Sequence, residues 1–155
     1  MQLDKLGIAP KALEGVWVDY TNPSTEIKAP GVRLLIASSA SDAYATDLET
    51  RLTAATNKNL KGGRRDLIPK ADARRDAETS ALARHVLLDF QGIEGADGKA
   101  LNGSSIGDRM TILSTTNGQV REFVLAFAAD LAKEQAEKEE EQLGNSESSA
   151  SSTSG

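Results

Sequence analysis

His85 is the only histidine in the chain, and the chain has no cysteine. A histidine can act as a general base or bind a metal ion, but either role needs a partner such as a nucleophile, a second histidine or a thiolate. The sequence offers no convincing nucleophile–base arrangement around His85. We therefore expect His85 to be a half-exposed structural residue, and we do not expect the protein to be an enzyme.

A run of glycines followed by a lysine superficially resembles a phosphate-binding loop: Gly92, Gly95, Gly98 and Lys99. The spacing differs from the Walker pattern, no serine or threonine follows Lys99, and the run follows a predicted helix rather than a strand. Asp97 lacks the alternating oxygen ligands of a calcium loop. No nucleotide, metal ion or other cofactor is therefore expected.

Two other features could bind a ligand. Tyr44 has a hydroxyl, but it begins an i, i+4 stripe with Leu48 and Leu52, which favours a core tyrosine. The segment 58–75 has seven basic and two acidic residues, in a chain whose net charge is −5. It lacks interleaved aromatic residues that would stack on bases. A solvated loop is favoured over a site for RNA or an acidic tail.

Composition indicates one domain without membrane segments. The chain has 155 residues, of which 39% are apolar, so a single hydrophobic core is feasible. The start of the chain lacks the pattern of a signal peptide. No run approaches the roughly 20 apolar residues of a membrane helix. Without cysteine there are no disulfides. We expect a protein that stays in a cytoplasm.

The predicted fold is a single globular α+β domain over 1–144, mainly α-helical. Val16–Tyr20 and Gly31–Ser38 are rich in β-branched residues and predict an antiparallel hairpin. A lone hairpin is marginal in water, so it should pack on helices. About four helices are predicted, over 39–58, 71–90, 105–113 and 117–142.

Three features complete this expected architecture. Asp97-Gly98 predicts a small second hairpin near 93–101, after a left-handed Gly92 that ends the preceding helix. Residues 1–14 are expected to form an arm, either a frayed terminus or a segment that docks on a partner. The Ser-rich residues 145–155 are expected to form a disordered tail.

The last predicted helix supplies the candidate partner-binding residues, Phe123, Phe127 and Leu131. They belong to an apolar stripe that stops at Leu131, where an acidic stretch begins. A protein that binds amphipathic helices needs an exposed apolar groove, and these three side chains are able to line one. The alternative, favoured for the two phenylalanines, is that they fill the core.

The order of elements resembles the tail assembly chaperones of long-tailed, siphovirus-like bacteriophages. In that family a helix typically ends in a Val/Leu-Asp-Trp-x-Gly signature, which an Asp-Gly-Lys turn follows. Here residues 88–92 read Leu-Asp-Phe-Gln-Gly and 97–99 read Asp-Gly-Lys. Phe90 stands where the family often has tryptophan. Trp17 in the first strand and the Phe123–Phe127 helix also fit the pattern.

The resemblance implies a non-enzymatic role in virion tail assembly. Such proteins bind the tape measure protein in the host cell cytoplasm, keep it soluble and help to recruit tail tube protein. They are usually absent from the mature virion, and many have a frameshifted longer form as a further partner. The alternative function is a structural virion component, such as a tail-completion or head–tail connector protein, whose short hairpins would insert into a ring.

Overall fold

A computed structural model describes residues 14–61, 71–115 and 118–153, with side chains described over 14–56, 71–115 and 118–141. The described chain has four helices and a three-stranded antiparallel sheet, which confirms the mainly helical α+β class. In order the elements are β1 (Val16–Thr21), β2 (Lys28–Ile36), α1 (Asp42–Lys61), α2 (Ala71–His85), β3 (Leu87–Gln91), α3 (Ile106–Ser114) and α4 (Gln119–Thr153). The predicted arm, apart from its last residue, and residues 62–70 of the basic segment 58–75 lie outside the described residues.

The sheet is a meander with the strand order β1-β2-β3. Leu34 at its centre pairs with Val18 of β1 and with Phe90 of β3. Because successive side chains of a strand point to opposite faces, this row forms the inner face, which packs in the core. Trp17 pairs with Leu35, and both lie on the outer face.

The structure corrects one predicted element. A single helix was expected over 71–90, but α2 ends at His85 and Leu87–Gln91 forms β3. The carbonyl of Val86 accepts a hydrogen bond from Ala37 N at 2.8 Å, where the chain leaves the helix. The edge of β2 offers the next residues a full set of backbone partners, and this non-local pairing overrides the local helical spacing.

The core lies between the inner face of the sheet and helices α2, α3 and α4. The largest of the almost fully buried side chains are Leu34, Ile36, Ser38, Leu82, Val86, Leu87, Leu113 and Val124. Tyr44 is 9% exposed, as expected of a core tyrosine. Its helix, α1, begins after Ser41, whose Oγ accepts a hydrogen bond from Tyr44 N at 3.2 Å and so caps the exposed amides.

The predicted second hairpin is present as a short turn. Gly95 N donates to Lys99 O at 2.8 Å, Leu101 N donates to Ile93 O at 2.9 Å, and Glu94 forms an isolated bridge with Ala100. Gly98 has a φ of 78°, which suits the expected Asp-Gly turn. The turn leads into α3, where Ser105 Oγ accepts from Asp108 N at 3.3 Å as an N-cap.

Helix α4 extends to Thr153, beyond residue 142, where the sequence predicted its end. The side chains of 142–153 are not described, and the disorder predicted for 145–155 stays a prediction. None of the described helices is both long enough and apolar enough to cross a membrane.

The loop that precedes α3 is held against β3 at Gly103. A Cβ atom at this position would overlap Asp89 Oδ1 and the backbone of Phe90. Since the overlapping atoms include backbone of a paired strand, they cannot move aside cheaply. Gly103 is therefore required for the loop to pack here.

Replacing Gly103 with alanine should destabilise the fold by about 1–3 kcal/mol, the range for overpacking a close contact. The matched control is Gly107→Ala within α3, where the nearest atom to a new Cβ is Ser105 Oγ at 3.7 Å. That change should be neutral or stabilising by up to about 1 kcal/mol, because alanine favours a helix. Urea unfolding measures both; equal effects would contradict the packing of this loop.

Candidate functional site

The three candidate partner-binding residues lie along one edge of α4. Val120, Val124 and Ala128 point into the core, at 5% exposure or less. Phe123, Phe127 and Leu131 form the neighbouring line at i, i+4, i+8 spacing, and all three are half-buried. We call them the α4 strip. The two phenylalanines pack against the core cluster, whereas Leu131 is not part of it.

Aromatic contacts hold the inner end of the α4 strip in place. The ring of Phe123 meets Tyr20 of β1 edge-on, with centroids 5.2 Å apart. Phe127 stacks nearly parallel to Phe123 at 6.3 Å. Burial, and then the charge of Glu122, raise the pKa of Tyr20. Contacts with the core therefore hold the α4 strip in place, and part of the surface of its side chains stays exposed.

Beyond the α4 strip the helix surface is mostly acidic. The exposed charged residues from 130 to 141 are Asp130, Lys133, Glu134, Glu137, Lys138, Glu140 and Glu141. Carboxylates outnumber ammonium groups in this group, so the α4 strip borders a negative surface. Such a surface keeps a protein dispersed by charge repulsion.

A shallow depression of about 570 Å³ runs along α1 and is lined by Ser39, Tyr44, Ala45, Leu48, Glu49, Leu52, Thr53 and Thr56. We call it the α1 groove. At its start Ser39 N donates to Ala128 O of α4 at 3.3 Å, so the groove begins beside α4. Its lining is mainly apolar, and such a surface is suited to side chains of another protein rather than to acid–base chemistry.

His85 takes part in an ion-pair cluster that joins α1 to the end of α2. Its Nε2 lies 3.0 Å from Asp47 Oδ2, and Arg51 Nε lies 3.0 Å from Asp47 Oδ1. Burial raises the pKa of Asp47, but the hydrogen bonds and charges of Arg51 and His85 outweigh it and lower the pKa below its ordinary value. His85 is half-buried, as predicted.

The cluster borders an open depression that also contains Thr46, Thr50 and Arg84. The described His85 contact is with a carboxylate that Arg51 already neutralises, which is the arrangement of a structural ion pair. Within the described residues, no group of three or more acidic or histidine side chains is placed to hold a metal ion.

Sequence reasoning missed Arg109 of α3, which is 7% exposed. Its Nε donates to Ala83 O of α2 and its Nη1 donates to Gly103 O, both at 2.8 Å. Burial lowers the pKa of Arg109, Asp89 opposes this shift and Arg84 adds to it. A signal was available, because Ile106, Arg109 and Leu113 share the apolar face of α3 by their spacing.

A second missed feature is an apolar patch on the outer face of the sheet. Trp17, Leu35 and Leu88 are half-buried there, and none belongs to the core cluster. We call them the outer patch. Arg33 lies over the Trp17 ring at 5.5 Å and pairs with Asp19 at 3.6 Å. The alternation of side chains along β1 puts Trp17 and Asp19 on one face, but the sequence alone gives no reason for an apolar patch there.

The fold and these surfaces define a small α+β protein with apolar surfaces on one helix edge and on the outer face of its sheet. A family model described as YdaY prophage protein matches residues 38–145, most of the chain. The chain therefore belongs to the YdaY prophage protein family, and it is a phage-related protein. No curated protein and no solved structure matches it. The phage origin implied by the resemblance is confirmed, and its tail assembly role is a proposal.

The Asp47 cluster predicts a pH-dependent stability. Because folding lowers the pKa of Asp47, its stabilisation is present above the unfolded carboxyl pKa of about 3.9 and is lost as pH falls through the lower folded value. Asp47→Asn should therefore destabilise the protein by about 0.5–1 kcal/mol at neutral pH. The difference from the unmodified chain should vanish in acid.

Urea unfolding between about pH 7 and pH 2 measures this difference. Glu49→Gln is the matched control, since Glu49 is an exposed carboxylate on the same helix. It should leave stability nearly unchanged across the range. A destabilisation by Asp47→Asn that stays constant with pH would show that the ion pairs are not its source.

Proposed function

We propose that this phage protein is a tail assembly chaperone, which binds the tape measure protein, keeps it soluble and helps to recruit tail tube subunits. The family match supports the phage context. The sequence resemblance over residues 88–92 and the turn at 97–99 supports the tail assembly role, although residues 88–91 lie in β3 and not at the end of a helix. The structural observation that carries the proposal is the α4 strip, an ordered apolar ridge beside an acidic helix surface.

The α4 strip has the geometry that a helical client requires. Side chains spaced i, i+4 and i+8 form a ridge, and a ridge packs into the groove between side-chain rows of another helix. Leu131 contributes to the ridge but not to the described core, so its apolar surface remains for a partner. The α1 groove, which begins beside Ala128, offers a second contact region for the same client.

The charge of the protein suits a soluble complex. A tape measure protein is long, helical and prone to aggregate, so its partner has to supply charge as well as apolar contact. The net charge of −5 and the carboxylates around Glu134–Glu141 supply it. They also favour client helices that carry basic residues beside their apolar face.

The proposal places the protein in the host cell cytoplasm during assembly and outside the finished virion. Mass spectrometry of purified particles tests this point. Absence from particles agrees with a chaperone. Recovery in a fixed ratio to the tail proteins would instead identify a structural virion component, such as a tail-completion or head–tail connector protein.

Leu131→Glu should weaken client binding without unfolding the protein, because it adds a charge to the exposed end of the α4 strip. Co-expressed with the tape measure protein of the same phage, the unmodified chain should raise its soluble fraction and co-purify with it. Leu131→Glu should reduce the affinity roughly tenfold or more, which corresponds to about 1.4 kcal/mol or more of binding free energy.

The matched control is Ala129→Glu, which adds the same charge at an exposed position of α4 away from the strip. This variant should bind the client as tightly as the unmodified chain does. Both variants should have the same unfolding midpoint as the unmodified chain. Two results would contradict the proposal: a tape measure protein that is no more soluble with the unmodified chain, or equal binding by the two variants.

A further inference from the structure

The loop between β1 and β2, residues 22–27, carries an exposed apolar residue. Among the described residues, Ile27 is the only large apolar side chain that is mostly exposed, at 68%. Single exposed apolar residues are common on protein surfaces, so exposure alone does not indicate a binding site. What distinguishes Ile27 is the set of contacts that holds its loop in one conformation.

Asn22 fixes the β1–β2 loop at its base. Its backbone N donates to Ile27 O at 3.0 Å, and its backbone O accepts from Glu26 N at 2.8 Å. Its side-chain Oδ1 accepts from Ser24 N at 2.9 Å. Its Nδ2 donates to Gln119 Oε1 at 2.9 Å, at the start of α4. The loop is therefore a rigid projection that is attached to the first residue of α4.

Glu26, directly before Ile27, has a φ of 58°. This left-handed conformation is unfavourable for a residue with a Cβ atom, and the hydrogen bonds of the loop maintain it. A group that is already held in one position loses little conformational entropy when it binds. Ile27 is therefore well suited to insert into an apolar depression on another protein molecule.

The α1 groove has the chemistry to accept this loop. Leu48 and Leu52 give it an apolar lining, and Glu49 is the only charged residue among its lining residues. Ile27 is followed by Lys28, which is exposed. A loop that places the isoleucine between the leucines brings the lysine ammonium close to the Glu49 carboxylate, so the two surfaces are complementary in charge as well as in polarity.

The β1–β2 loop and the α1 groove lie apart on one molecule. The loop is attached to α4 at Gln119, whereas the groove begins where Ser39 N donates to Ala128 O. Nine residues of helix separate these two points, a distance of about 14 Å along the axis. Ile27 is exposed and is not among the groove lining, so both surfaces are available to another molecule.

We propose that Ile27 of one copy of the chain inserts into the α1 groove of a second copy, with Lys28 beside Glu49 of that copy. The contact joins two different surfaces, so each dimer keeps one unused loop and one unused groove, and further copies can add. Because the contact is small, the association is weak and needs a high protein concentration.

This inference does not rest on the proposed chaperone function. The α4 strip takes no part in the contact between copies and stays available to a client. A client that also uses the α1 groove competes with the second copy for it. Self-association is measured on the protein alone, so its result is separate from that of the client-binding experiment.

Sedimentation velocity over a concentration series tests the contact. Ile27→Ser should weaken self-association tenfold or more, because it removes the burial of one isoleucine side chain. Ala45→Arg should have a similar effect, because Ala45 is an exposed residue of the groove lining. The new arginine fills the groove and can pair with Glu49 one turn further along α1. The matched control is Ser24→Ala, an exposed position in the same loop, which should associate like the unmodified chain.

A mixture of the two variants tests that the two surfaces differ. Ile27→Ser has an intact groove, and Ala45→Arg has an intact loop. Each variant alone should sediment as a monomer. The equimolar mixture should form dimers and nothing larger, because only one productive contact is possible between the two variants.

Exchanging the charges tests the predicted pairing. Lys28→Glu and Glu49→Lys should each weaken self-association by about two- to fivefold, the effect of an exposed ion pair. The chain that carries both changes should associate like the unmodified chain. All of these positions are exposed, so the unfolding midpoint of each variant should stay unchanged.

Three results would overturn the proposal. The first is an unmodified chain that sediments as a monomer at the highest concentration at which it stays dissolved. The second is self-association of Ile27→Ser as strong as that of the unmodified chain, which would assign the contact to another surface, such as the outer patch. The third is a mixture of Ile27→Ser and Ala45→Arg that stays monomeric.

Discussion

The fold depends on one buried cation and the two carbonyl groups that it satisfies. Arg109 donates to Ala83 O near the end of α2 and to Gly103 O in the loop before α3. A buried guanidinium without partners would be strongly destabilising, so it is compatible with the fold only if both carbonyls stay in place. The contact fixes where α2 ends and how the following loop returns. Gly103 then lies directly against β3, the strand that pairs with β2.

Much of this architecture could be predicted from the sequence, because the signals were local. Four signals were of this kind: the β-branched strands, the Ser105 cap, the Asp-Gly turn and the apolar stripe of α4. Each is formed by residues that are only a few positions apart in the sequence. β3 could not be predicted in this way. Leu82, Val86 and Phe90 are all buried, but Phe90 belongs to a strand whose partner is Leu34. The i, i+4, i+8 spacing of these residues fits a helix equally well, and only the distant strand decides between them.

Gly92 shows how a correct local prediction can have a different physical cause. A left-handed conformation was expected because a helix would end there, and the observed φ is 80°. The residue instead follows β3, and a Cβ atom would overlap Gly31 O of β2. The candidate site was also predicted only in part. The spacing identified Phe123, Phe127 and Leu131, while the outer patch arises from strand pairing that residue spacing does not show.

Strand β1 connects the two apolar surfaces because its side chains alternate between faces. Tyr20 supports Phe123 of the α4 strip on the inner side, and Trp17 belongs to the outer patch. The family match covers residues 38–145, which include the whole α4 strip but neither Trp17 nor Leu35. A function common to the family has to be carried by the matched region, and the α4 strip meets that condition. The outer patch spans residues inside and outside the match, because Leu88 lies within it and Trp17 and Leu35 precede it.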